Sequence, residues 1–227
     1  MKSVLSLFWI LTVIVVGSLV DTRAMAAERI SVDAIRVPFG SDSPRQIVLS
    51  NDSFRGHASQ SFLQSGFEMG EMAGVWVSVP TNMALYKVEA IRVLVAEPLV
   101  GPRLSRYPVE FRLQVSRTRP QRPEVVANVS GIARVIPGWH WNDIPLSAAG
   151  VPCVAAGGSI GVAIGVTRQG PSGFYRDSGM SAHQQSNVVM LRPGGWQWAS
   201  ALGVRGNWIM RVTGRTVESS ECDSVIH

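Results

Sequence analysis

Lysine is almost missing from this chain of 227 residues. Lys2 and Lys87 stand alone, although Lys and Arg together number 21. Arginine therefore carries nearly all the positive charge, and the formal net charge of +5 bears on solubility and non-specific partners rather than on fold. Cysteine is scarce too: Cys153 and Cys222 are the only two. That excludes a four-cysteine zinc site and any Cys-x-x-Cys redox pair. There is no His-Glu-x-x-His metal motif, and no serine-hydrolase nucleophile elbow is expected. His57, His140 and His183 are scattered and read as surface or loop residues, so no metal site is assigned. No segment sustains a 3.6-residue apolar period, which argues against amphipathic helices. Without a recognition helix, and with export expected, nucleic acid is not a partner. No apolar run beyond the first 20 residues is long enough to span a bilayer.

That first run is the clearest feature present. Lys2 supplies a positive start, Ser3 to Val20 is uncharged and rich in Leu, Ile and Val, and Ala24-Met25-Ala26 offers small residues before Ala27. The pattern predicts a signal peptide over residues 1–26, cleaved after Ala26, and an exported product, periplasmic or extracellular. Retention as a membrane anchor is the alternative, because the run lies near the lower limit for a spanning helix. No cysteine follows the run, which argues against a lipid-modified amino terminus. Residues 27–227 are then expected to form one domain. In an oxidising compartment Cys153 and Cys222 should pair.

The mature chain alternates with a period of two. Val109, Phe111, Leu113 and Val115 interleave with Glu110, Arg112, Gln114 and Ser116, as in a strand with one buried and one wet face. Ile160, Val162, Ile164 and Val166 form a second row. Its other face, Gly161, Ala163, Gly165 and Thr167, is small enough to let a chain segment or a ligand approach the backbone. Val75, Val77 and Val79 form a third. Further strands are expected at 30–37, 86–95, 124–129, 139–146, 188–191 and 208–212, with a bulge near Ala90 where the apolar parity changes. Gly- and Pro-rich clusters such as Gly40–Pro44, Pro120–Pro123, Gly170–Gly173 and Pro193–Gly195 punctuate the runs. The fold class is all-β, an antiparallel β-sandwich.

Two Gly-Trp-x-Trp motifs stand out, Gly138–Trp141 and Gly195–Trp198. Residues two apart in an extended chain point the same way, so each motif presents paired indoles. Such a pair stacks on sugar rings or fills a core. Trp196 and Trp198 follow a Pro-Gly-Gly turn and are the better candidates for a ligand surface, ahead of Trp139 and Trp141. Trp208, in a row with Met210 and Val212, reads as core. An arginine-dense stretch runs from Arg103 to Arg122 and includes Arg112, Arg117 and Arg119, with Glu110 as its one acid. The guanidinium fork suits carboxylate or phosphate groups of an envelope polymer, and the same charges also protect a sheet edge from aggregation. Asp52 and Asp177 are loop acids that a structural calcium ion would use, but neither belongs to a spaced ligand pattern, so no cofactor is assigned. Glu68 and Glu71 suggest a glycosidase pair, but residues three apart on a strand face opposite ways. A pair drawn from distant strands would be invisible in sequence.

The segments Val48–Asp52, Gly66–Val75, Trp141–Ile144, Ile160–Gly165 and Asn207–Val212 together resemble bacterial exported jelly-roll modules of the carbohydrate-binding-module type. The resemblance implies strands and turns at these positions and a non-enzymatic role, with no catalytic set. The expected function is binding of a glycan or another envelope component. A structural protein of the cell surface is the alternative, and a hydrolase with dispersed carboxylates is third.

Overall fold

The computed structural model describes residues 30–97, 104–117, 125–146, 150–167, 173–177, 186–191 and 195–226. The expected signal peptide, Arg103, Arg119, Arg122 and His183 lie outside them. The strands are β1 (Ile30–Asp33), β2 (Ile35–Val37), β3 (Ile47–Ser50), β4 (Ser61–Ser65), β5 (Met72–Ser78), β6 (Leu85–Val93), β7 (Tyr107–Ser116) and β8 (Val125–Val135). They continue with β9 (Trp141–Pro145), β10 (Cys153–Ala155), β11 (Ser159–Val166), β12 (Gly173–Asp177), β13 (Asn187–Leu191), β14 (Gly195–Trp198), β15 (Met210–Thr216) and β16 (Val225–Ile226). Short 3-10 turns lie at Ala58–Gln60, Ala199–Leu202 and Ser219–Glu221.

The chain is an all-β sandwich. One sheet has the order β1-β8-β7-β11-β5-β13-β14. The other runs β16-β10-β6-β15-β3, with β9 on β6 and β2 on β9, and β12 and β4 form a two-stranded ribbon of their own. Pairing is antiparallel except where β1 meets β8 and β10 meets β16. The alternating rows meet between the sheets. Val75 and Val77, Phe111 and Leu113, and Ile160 and Ile164 face Tyr86, Ile91, Val93, Met210 and Val212, all buried.

Several details have local causes. The expected single strand over 30–37 divides at buried Ala34, so β1 joins the first sheet and β2 crosses to the second. The parity change near Ala90 is a bulge: Thr213 opposes Ala90 while Gly214 opposes Val88, leaving Glu89 as the extra residue. β8 runs on to Val135, past the expected end at 129, because Ala133 and Val135 both reach the core. Gly173 begins β12 rather than ending a turn. Cys153 and Cys222 form a disulfide with a Cα separation of 5.8 Å, tying the carboxyl-terminal segment to β10.

Candidate functional site

Register brings the small-sided face of β11 together with residues far apart in sequence. Pairing aligns Arg112, Ala163, Gly74, Val188 and Trp198 in one row across β7, β11, β5, β13 and β14. The row on one side holds Gln114, Gly161 and Trp76. The row on the other holds Glu110, Gly165, Met72, Met190 and Trp196. Directly opposed residues share a face, and this face turns away from the core rows. A cleft of about 320 Å³ lies there, walled by Trp76, Trp196, Trp198, Arg112 and Gln114.

The floor exists because side chains are missing from it. A β-carbon at Gly161 would lie 2.8–3.0 Å from three atoms of the Trp76 indole, so that ring rests directly on the glycine. A β-carbon at Gly74 would lie 2.9 Å from that of Ala163. Trp76 is thereby packed down as a wall, while Trp196 stays 39% exposed and Trp198 half-buried at the open end. The polar lining is Arg112, Gln114 and Gln197. Arg112 Nη2 donates to Glu110 Oε1 at 3.1 Å, which orients the guanidinium along its own strand. Trp76 was not singled out in sequence, although its parity against Val75 and Val77 marks an aromatic on the wet face of a strand. Arg117 is exposed at the end of β7 and does not line the cleft.

The other tryptophan motif lies on the outer face of the second sheet. Trp141 is 4% exposed and makes edge-on contacts with Phe39 and Phe54 at centroid distances of 5.5 and 5.7 Å. The expectation of a ligand-contacting Trp141 is therefore corrected: the 38–57 segment folds over it. Trp139 is 38% exposed, but its ring abuts Phe39, Phe54 and Tyr175 and its Nε1–H donates to the Gly56 carbonyl. The Arg211 guanidinium lies 4.6 Å from the Trp141 ring centroid and forks onto Asp52. Burial pushes the Asp52 carboxyl above its ordinary pKa, against the opposing pull of Arg211. Trp208 is core, as expected.

The remaining candidates have structural explanations. Both oxygens of Asp177 receive protein donors: Ser53 N–H and hydroxyl at 2.7 and 2.9 Å, and Asn207 N–H at 2.8 Å. Donors aimed at those lone pairs stand where a cation would have to lie. Glu71 Oε2 accepts the Glu68 N–H at 2.9 Å within one turn, so these acids serve that turn. Burial, with Arg36 nearby, lowers the pKa of His140, whose Nε2 has no partner among the described residues. Gly157-Gly158-Ser159-Ile160-Gly161 does satisfy the Gly-x-Ser-x-Gly spacing, contrary to the expectation that no elbow is present. Yet Ser159 opens strand β11 rather than a strand-to-helix turn, and it is fully buried with its hydroxyl unpartnered. A serine buried at the start of a strand lacks the geometry of a nucleophile elbow. No group of three or more metal-ligating side chains occurs among the described residues.

No protein-family model matches the sequence, and no curated protein matches it. Among solved structures, the clostridial cysteine protease Cwp84 after propeptide cleavage superimposes with a TM-score of 0.50 at 8% identity, over 78% of this chain and 41% of that one. A structure of the cysteine protease and lectin-like domains of Cwp84, a surface layer associated protein of Clostridium difficile, gives 0.46 at 9% identity, over 78% and 37%. This chain thus spans about two fifths of the proteins it matches, and the likeness extends to the β fold alone.

Proposed function

We propose that this is an exported, non-catalytic β-sandwich protein that binds glycan at the cell envelope through the cleft on its seven-stranded sheet. The observation that carries the reading is the arrangement of Trp76, Trp196 and Trp198 around a floor that includes Gly74, Gly161 and Ala163. Indole faces offer apolar area to the C–H side of a sugar. Gln114 places an amide donor and acceptor where hydroxyls would sit. The cleft's 320 Å³ falls at the small end of ligand sites, roughly 300–1,000 Å³. The Cys153–Cys222 disulfide fits an oxidising compartment and hence export. The jelly-roll modules that the sequence resembles accord with the same role.

The test is retention on a polysaccharide array. Trp196→Ala combined with Trp198→Ala should abolish retention and leave the melting temperature within a few degrees of wild type. Wild-type protein that binds no glycan on the array would end the reading. A surface-assembly role is the second reading, favoured by the position of β14 at the end of its sheet, where one strand edge lies beside the cleft. A protein captured at β14 through main-chain pairing, with no glycan bound, would select it.

A further inference from the structure

Resting on the glycan-binding reading, the cleft's two ends differ in chemistry. The row from Arg112 to Trp198 crosses four strand spacings, roughly 19 Å at about 4.8 Å each. Trp196 and Trp198 occupy one end on β14, whereas Arg112 and Gln114 occupy the other on β7. Between them the lining includes Gly161, Ala163, Gly74 and Val188, with the Trp76 indole resting on Gly161. A ligand that fills the cleft must therefore present an apolar face at one end and a group for a guanidinium at the other.

We infer that the cleft takes an acidic oligosaccharide, with a carboxylate-bearing sugar unit at Arg112 and a neutral ring at Trp196 and Trp198. Among the described residues Arg112 is the one charged residue lining the cleft, and no carboxylate lines it. Its side chain is 33% exposed, so it is partly desolvated yet reachable. Glu110 engages it through Nη2 alone, and the rest of the guanidinium has no other partner among the described residues. Glu110 thus acts as a positioning residue: it narrows the rotamers of a long side chain before the ligand arrives. A guanidinium held this way matches a carboxylate in two parallel hydrogen bonds, which a neutral hydroxyl pair matches less strongly. Glu110 also removes part of the local positive charge. Selectivity should therefore arise from short-range hydrogen bonding, and the preference for the acid should survive moderate salt better than a diffuse basic patch would allow.

The experiment compares galacturonate oligomers with their methyl esters, which keep the same rings and remove the charge. Binding of the full chain is measured by calorimetry alongside an array of carboxylated, sulfated and neutral glycans. Wild type should prefer the acid about tenfold or more, as expected for a charge-assisted pair. Arg112→Gln should lose that preference, acid and ester then binding alike, while keeping its melting temperature. Arg112→Lys should recover only part of it, and Glu110→Gln should lower acid affinity without touching ester affinity. Equal binding of acid and ester by wild type, unchanged in Arg112→Gln, would overturn the inference and leave glycan binding intact. Preference for sulfated over carboxylated glycans would also overturn it. Failure to bind any glycan would remove both readings together.

Discussion

The two Gly-Trp-x-Trp motifs share a local sequence and end in opposite circumstances. At Gly195–Trp198 the indoles stand on the end strand of a sheet, and a cleft with Gly74, Gly161 and Ala163 in its floor remains beside them. At Gly138–Trp141 the same spacing places indoles over the other sheet, where Phe39 and Phe54 arrive from the 38–57 segment and close the space. Both motifs put two rings on one side of the chain, as a period of two requires. What differs is the covering: aromatic rings from a distant loop in one case, and nothing but the cleft itself among the described residues in the other. An aromatic pair is therefore a neutral building block. It becomes core or platform according to what the rest of the chain lays over it.

The comparison can be broken most forcefully at the covered motif. Trp141→Ala should cost about 3–5 kcal/mol, the range for emptying a packed tryptophan site, read as a large drop in the denaturant midpoint. Arg211→Ala should cost a similar amount, because it strands the fully buried Asp52 carboxylate without its partner. Near-native stability of either variant would mean that the loop over this cluster is dispensable. Next in size is the disulfide: replacing Cys153 and Cys222 by Ser should cost about 4 kcal/mol on the chain-entropy model for a sequence separation of 69. That loss should appear equally with the cleft intact or mutated, since the bond ties β10 and the carboxyl-terminal segment on the opposite sheet.

At the open motif the expected stability effects are small. Trp196→Ala should change stability by about 1 kcal/mol or less, because much of that ring is already in solvent. A loss as large as that of Trp141→Ala would make the two regions alike and remove the basis for a ligand platform. The smallest effect is a pH dependence beside the covered motif. His140 has its pKa lowered by burial and by Arg36. Below the ordinary histidine value of 6.5 the unfolded chain takes up a proton that the folded chain resists. Stability should therefore fall as pH drops from 6.5 toward the folded-state pKa, and His140→Phe should flatten this part of the profile. A slope of unchanged size in that variant would assign the dependence to another group.

Much of the sandwich was legible because burial on one face of a strand leaves a two-residue signature. The rows around Phe111, Ile160 and Val75 show it, and even the bulge at Glu89 showed as a parity change. The short strands β3, β4, β10, β14 and β16 were not legible, since two to five residues carry too little alternation to separate from loop. Half of the cleft could be anticipated: the small face of β11, the wet position of Arg112, and the paired indoles of β14 are local properties. Their meeting was not, because it depends on β5 and β13 lying between β11 and β14, an order set by long-range pairing.

The sequence by itself determined the alternation that makes strands, the bare backbone at Gly161 and Gly74, and the presence of two indole pairs, all consequences of side-chain size and of neighbours two apart. Only the tertiary structure decided that one pair would be roofed and the other left beside an open floor, and that Arg112 would stand across the sheet from Trp198. Strand order and loop placement arise from non-local packing, whose energy is shared among residues that no stretch of sequence contains together.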